Sequence, residues 1–467
     1  MRRLKQAPKP LGMLETHAIT PDRRRFLGGT ATAFAALVAS GCMTRGQTSG
    51  AAPIASDFTG YGALKPDPAG LLDLPEGFSY RVISRLGDAM DDGGTVPDKA
   101  DGMGCFDLGN GEIALVRNHE LVPTDDAGGP IAKGFGLHNG GFTSGGTTTI
   151  VLDAATLTVK RQFRSLGGTI RNCSGGTTPW GSWLTCEEAP TGPGQRYGEG
   201  LDRNHGWVFE VPASARSIVD AVPLKAMGRF NHEAAVIDPV TGYAYMTEDK
   251  DDSVFYRFIP NVPGDLAKGG KLQAMVLEGL GDTRNWAQSP AKMPVGQSYR
   301  VSWIDLDNVE APEDDLRKRA AAKGAALIAR GEGLHMGVRR DTSEVFICAT
   351  SGGTKGLGQI FRLTPGMSGA ADSFELFFES ESEEQFNFGD NLCVAPNAHL
   401  MVCEDQYTDV VDNHIRGITP DGRAYDLARL TEQTELAGGC FSPDGKTMFV
   451  NAYSPAATLA ITGPWTA

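Results

Sequence analysis

The sequence predicts an all-β fold: a six-bladed β-propeller with long loops and a short helical insertion. Three observations lead there. Glycine supplies 60 of the 467 residues, nearly twice its usual share, with no collagen period. Glycine spread through a chain marks many tight turns, hence many short strands. A strand–turn–strand unit recurs six times, and the one clearly helical segment falls in a single gap between units.

Each unit is a turn rich in Gly, Asp or Asn, then four or five mostly apolar residues, then a polar or acidic end. The six stretches are 113–116, 183–186, 243–246, 345–349, 399–403 and 447–450. They read as β-formers bounded by turn residues. Their ends fall near 118, 186, 248, 350, 404 and 451, giving spacings of 68, 62, 102, 54 and 47 residues; familiar propeller blades repeat every ~40–50. The longest gap holds 313–330, rich in Ala, Arg and Lys, which reads as an inserted helix. A pair of β-sandwiches is the competing architecture.

Charge divides the chain. Residues 1–42 carry seven Lys/Arg against two Asp/Glu, a net of +5, which leaves −19 on the remaining 425. A basic leader on an acidic body points to targeting. Asp22-Arg23-Arg24-Arg25-Phe26-Leu27, followed by a weakly apolar stretch to Ser40, resembles a twin-arginine export signal. That stretch is short of the ~20 apolar residues of a membrane span, so no transmembrane segment is expected. Ala39-Ser40-Gly41-Cys42 resembles a lipoprotein cleavage box and makes Cys42 a candidate for lipidation. The expected organisation is a signal peptide over 1–42, a linker over 43–59 and a single propeller domain over 60–467. The expected destination is the periplasm or the outside of the cell, with the export machinery as a partner and a monomer as the working form. A net charge of −14 argues against nucleic acid.

Acidic residues gather at the strand ends. Glu120, Glu187, Glu188, Glu248, Asp249, Glu404 and Asp405 follow the repeated stretches. A second set, Asn172-Cys173, His232-Glu233, Glu332 and Asp390-Asn391, precedes each turn at the far end of the preceding strand. Propeller strands converge on a central channel, where so many carboxylates repel one another unless cations neutralise them. Oxygen ligands suit Ca²⁺, and a thiolate among them suits a softer metal such as iron or zinc. There is no CxxC, HExxH or EF-hand spacing, so any metal site is assembled from distant segments. Seven cysteines after Cys42 leave at least one unpaired. His119, His232 and His335 read as structural before catalytic.

Several segments together resemble the PhoX-type alkaline phosphatases. They are Asn172 to Trp183 with Cys186-Glu187-Glu188, Gly228 to Glu233, Arg330-Gly331-Glu332-Gly333, Asp390-Asn391-Leu392 with Cys403-Glu404-Asp405, and Phe441 to Gly445. The resemblance covers residues 60–455 and implies a six-bladed propeller with a mixed Fe³⁺–Ca²⁺ cluster that hydrolyses small phosphate esters. It implies Cys173 as a thiolate ligand of iron, and Glu233, Glu332 and Glu188 as carboxylate ligands, with Glu187 beside them. Arg330 matches the family's phosphate-contacting arginine, and a guanidinium fork fits phosphate oxygens. Asp390, Asn391, Glu404, Glu120 and Asn118 are further metal candidates. The competing functions are a calcium-dependent propeller lactonase or esterase and a non-enzymatic propeller held by calcium. Metal content separates them.

Overall fold

The computed structural model describes residues 58–465, apart from 59, 69, 340–341, 368 and 407–410. The leader and nearly all of the linker therefore lie outside the described residues. Every hairpin read from the sequence is present, and each forms the first two strands of a blade. Blade 1 runs Ala100–Gly109, Glu112–His119, Gly145–Asp153 and Val159–Thr169. Blade 2 has three strands, Asn172–Thr177, Ser182–Glu187 and Val208–Pro212. Blade 3 opens with His232–Ile237 and Ala244–Glu248, and blade 4 with Gly331–Arg339 and Thr342–Ala349. These two blades share one continuous sheet, because Ser298–Asp305 pairs with Ser373–Glu379 at their outer edges. Blade 5 opens with Gly389–Val394 and Leu400–Glu404, blade 6 with Leu436–Phe441 and Thr447–Ala452.

The first strands of the six blades form a ring, each against the next and the sixth against the first. The ring is closed by hydrogen bonding: Ser79–Arg85, from before blade 1, pairs with Ala457–Thr462 as the outer strand of blade 6. Closure of this kind leaves no unpaired edge at the join.

Turn chemistry explains the hairpins. The Asp238 carboxylate accepts from Val240 N at 3.0 Å and from Thr241 Oγ1 at 2.7 Å, and Gly242 takes the left-handed conformation at φ 73°. Side chains such as Asp238 that bond their own backbone compete with extended structure and so mark where a strand ends. Between blades, the sheet faces are apolar. Leu184, Val208, Ala235, Met246 and Phe258 fill the space between blades 2 and 3, and Tyr245, Phe255, Ile347, Phe361 and Phe374 that between blades 3 and 4.

The inserted helix is shorter than the composition suggests. Among the described residues the one α-helix is Leu316–Ala322. Beyond Gly324 the chain turns into a two-residue strand, Leu327–Ile328, paired with Ser253–Val254. Ala325, Ala326 and Ala329 are buried, and Ala326 N donates to Met275 O at 2.9 Å. Tertiary burial here overrides the helix propensity of alanine. No helix among the described residues is long and apolar enough to cross a membrane.

The ring tolerates little bulk where neighbouring first strands meet. A Cβ on Gly176 would lie 1.5 Å from Ala235 O in blade 3. Gly176→Ala is expected to lower stability by about 3 kcal/mol, read as a lower urea midpoint. Gly281→Ala, where an added Cβ meets nothing within 4 Å, should leave the midpoint nearly unchanged.

Candidate metal centre

In all six blades the first strand slips against the second at the same place. Asn172 pairs with Glu187 but Gly175 with Thr185; His232 pairs with Glu248 but Ala235 with Met246. Blades 1, 4, 5 and 6 repeat the step, with three residues of the first strand facing two of the second. Each is a β-bulge at the start of the innermost strand, a device that re-aims side chains and sharpens local twist. The first unpaired residue of the bulge is Asp101, Cys173, Glu233, Glu332, Asp390 and Gly438 in blades 1 to 6. Five of the six carry side chains that bind metals.

The bulges bring these groups together. Ligand atoms of Cys173, Glu188 and Glu233 lie within 4.8 Å of one another, as do those of Glu233, Glu332 and Asp390. Glu233 belongs to both groups, so the five form one buried cluster. Asp101 adjoins it. Its carboxyl is pushed well above the usual range by burial and then by Glu120 and Asp390. Burial raises Glu188 to about 8 and Asp390 to about 7. Glu233 and Glu332 are pushed well up by burial first, then by the neighbouring carboxylates. Burial, then Glu233 and Glu188, hold the Cys173 thiol protonated, and it lies 3.2 Å from His232 O. Asp101 Oδ1 and Asp390 Oδ1 are buried without a hydrogen bond. Buried carboxyl oxygens left without donors fit cations. Four carboxylates beside a thiol, with Asp101 adjoining, fit more than one kind of cation, hard on the oxygen side and softer at the sulfur.

Two arginines flank the cluster, and the sequence named only one. Arg330 donates from Nε and Nη2 to Asp249 at 2.8 and 3.3 Å, and from Nη2 to Glu332 at 2.8 Å. Its Nη1 takes no acceptor among the described residues, so one end of the fork is fixed and the other open. Arg330 is not on the helix; it sits at φ 49°, one residue before the innermost strand of blade 4. Arg171 holds the same place before blade 2, at φ 46°. It donates to Glu120 at 2.7 Å and to Glu188 Oε2 at 2.5 Å and Glu188 O at 3.0 Å. Both arginines stand two residues ahead of a cluster side chain, a spacing the sequence displays in Arg171-Asn172-Cys173 and Arg330-Gly331-Glu332. Asp101 was also missed. Its signal is positional: it occupies in blade 1 the place that Glu332 holds in blade 4, and each is followed by glycine.

Other expected ligands take different work. Antiparallel pairing puts both acidic sets at the same end of the channel, yet only the innermost strands and Glu188 supply the cluster. Glu187 is fully buried and accepts from Ile170 N, His205 Nδ1, Gly206 N and Trp207 N. Glu404 accepts from Asn387 N, His414 N and Arg416 Nε. Both carboxylates are saturated by protein donors and pin loops at the rim. Asn118 donates to Cys173 O and Ser174 O at 2.8 and 2.7 Å and accepts from Trp183 Nε1. It braces the bulge that carries the thiol. Glu120 is shared by Arg171 and the Tyr453 hydroxyl. Asn391 Oδ1 accepts from Gly438 N at 2.9 Å, while its Nδ2 is buried without a partner. His119 and His232 are buried and bonded to neighbouring groups, their pKa values depressed by burial, His232 to about 3. All seven cysteines after Cys42 are free thiols.

An acid-lined propeller channel with a thiol–carboxylate cluster and an open arginine fork defines a metal-assisted class of hydrolase site. The model of the family described as alkaline phosphatase PhoX matches residues 59–160 and 144–456. The chain belongs to that family, whose members hydrolyse phosphoric monoesters. Among solved structures it is similar to Pseudomonas fluorescens PhoX in complex with vanadate, a transition-state analogue. That likeness is 18% identity over 84% of this chain and 96% of that one, with a TM-score of 0.65, and it agrees with the propeller fold. A Xanthomonas campestris gluconolactonase matches at 14% identity over 86% and 98% of the two chains, with a TM-score of 0.37. That score is too low to bear on function. Among curated proteins, none matches this chain in sequence.

The raised carboxyl pKa values fix the pH behaviour of the metal-free protein. Stability from neutral Glu188 and Asp390 is fully present below their unfolded values of 4.5 and 3.8, and is lost as pH rises through about 7 to 8. Above pH 6.5, where the buried His119, His232, His335 and His399 are neutral folded or unfolded, the melting temperature of chelator-treated protein should therefore fall from about pH 7 to about 8, and added cations should flatten that fall. A metal-free melting temperature that rises over this interval would contradict the protonation assignment.

Proposed function

We propose that this protein is an exported, metal-dependent phosphomonoesterase that works at an iron–calcium cluster in the propeller channel. What supports this reading above all is the recurrence of ligand-type side chains at one bulge position of successive blades, beside an arginine with a free Nη1. Cys173 with Glu188 and Glu233 would hold the softer cation; Glu233, Glu332 and Asp390, with Asp101 adjoining, would hold the harder ones. When bound, the cations supply positive charge at the phosphoryl oxygens and acidify the attacking water.

The chain's own residues bind and position. Asp249 and Glu332 fix the Arg330 guanidinium, so its free edge meets phosphate without rearrangement. Arg171 and Arg330 offset part of the negative charge of the cluster. No side-chain nucleophile is required, since positioning and charge stabilisation carry most phosphoryl transfer. The leader over 1–42 directs export by the twin-arginine route to the periplasm or beyond, with Cys42 as a candidate for lipidation. Residues 43–59 are a linker and 60–467 a single domain that works as a monomer.

Arg330→Ala should keep its metals and melting temperature, while kcat/KM on an aryl phosphate falls about 10²–10³-fold, the scale for one lost transition-state charge stabiliser. Arg330→Lys should recover part of the loss, because an ammonium forms no paired bonds. Cys173→Ser should lose iron by elemental analysis and keep its fold. Unchanged phosphatase kinetics in Arg330→Ala would remove its phosphate role. Lysine at both Arg23 and Arg24 should retain the precursor in the cytoplasm; mature protein still found in the periplasm would contradict the export route.

A further inference from the structure

A short loop over 190–205 joins the last two strands of blade 2 and stands beside the cluster. Its position follows from a chain of contacts. Glu188, within 4.8 Å of Cys173 and Glu233, bonds Arg171. The Arg171 guanidinium lies 5.6 Å from the Tyr197 ring centre, and that of Arg196 lies 4.7 Å from the same ring. Arg196 is thus two side chains removed from a cluster ligand.

The loop is built to hold this arrangement. Thr191 Oγ1 donates to Arg196 O at 2.6 Å, and Gly198 N donates to Gln195 O at 2.7 Å. Tyr197 is half-buried at φ 61°, a left-handed conformation that a bulky residue rarely adopts and that collects at functional sites. Arg196 is exposed, and its one side-chain hydrogen bond runs from Nη2 to the Tyr197 hydroxyl at 2.8 Å. No carboxylate among the described residues pairs with it, although the chain carries 57 Asp and Glu against 43 Lys and Arg. Arg171 is different: Glu120 and Glu188 occupy all but one of its five N–H groups. Arg196 keeps four of its five free. An unpaired guanidinium, preorganised over an aromatic ring at the rim of an anion site, is a phosphate receptor in waiting.

We infer that Arg196, held by Tyr197, binds a second phosphate carried by the leaving group, so that the preferred substrates of the channel are bisphosphate esters. The inference rests on the phosphatase reading above. Arg330 then faces the phosphate that is cleaved and Arg196 the one that is kept. Against a net charge of −14, local cations at the mouth also draw in a multiply charged anion.

The test uses the metal-loaded full chain with fructose 1,6-bisphosphate and fructose 6-phosphate, which differ in one phosphate. The wild type should show the higher kcat/KM on the bisphosphate, and that advantage should shrink as salt rises. In Arg196→Gln the ratio of the two kcat/KM values should fall about five- to tenfold, carried by KM, the scale of one charge-assisted contact at an exposed site. Arg196→Lys should keep most of the salt dependence, and Tyr197→Phe, which removes only the hydroxyl anchor, should fall between. A ratio unchanged in Arg196→Gln, or equal losses on both esters, overturns the inference and leaves the phosphatase reading standing. Hydrolysis of neither ester, nor of an aryl phosphate, by wild type would instead defeat the phosphatase reading itself.

Discussion

Six innermost strands must crowd their starting residues into one channel, and the β-bulge is what makes that geometry chemical. In a regular ladder, successive side chains alternate between the two faces of a blade, and residues at a strand's start pack between sheets. One extra residue per blade breaks the alternation. The side chains so released, from Asp101 through Cys173, Glu233 and Glu332 to Asp390, have nowhere to go but toward one another. Carboxyl groups this close, cut off from water, stay neutral or take up cations.

The rest of the rim answers that concentration of charge. Arg171 and Arg330 each lie between two acidic partners, so the rim alternates in sign: Glu120, Arg171 and Glu188 on one side, Asp249, Arg330 and Glu332 on the other. Glu187, Glu248 and Glu404 end the second strands of blades 2, 3 and 5 and bond the segments that follow. Glu248, for one, accepts from the Tyr256 hydroxyl at 2.6 Å and pairs with Arg317 of the inserted helix. Acids at the blade ends thus serve two purposes: Asp101, Glu233, Glu332 and Asp390 face the channel, while Glu187, Glu248 and Glu404 hold the scaffold.

Much of this could be read from the chain alone. The hairpins were legible because turn chemistry is local: Asp238 and Gly242 mark their turn whatever surrounds them. That Cys173, Glu188, Glu233, Glu332 and Asp390 belong together is legible in their motifs, and the structure groups them. The bulges were not, since an extra residue in a strand leaves no mark in a pattern of short apolar runs, and Asp101 was missed with them. Recurrence at the strand ends points to Glu187 and Glu404 as ligands; their saturation by protein donors, invisible in sequence, ties them to neighbouring segments. The helix was overextended because Ala325, Ala326 and Ala329 suit helix and tight burial equally.

Ring closure carries a consequence for how the molecule comes into being. Ser79–Arg85 waits for Ala457–Thr462, the last strand of the fold, while the cluster residues are spread from Asp101 to Asp390. A growing chain therefore possesses every one of these side chains long before it has a channel. Contacts of such sequence separation form late and slowly. The acids stand in sequence well ahead of the closing strand, and only its pairing completes the ring that encloses them.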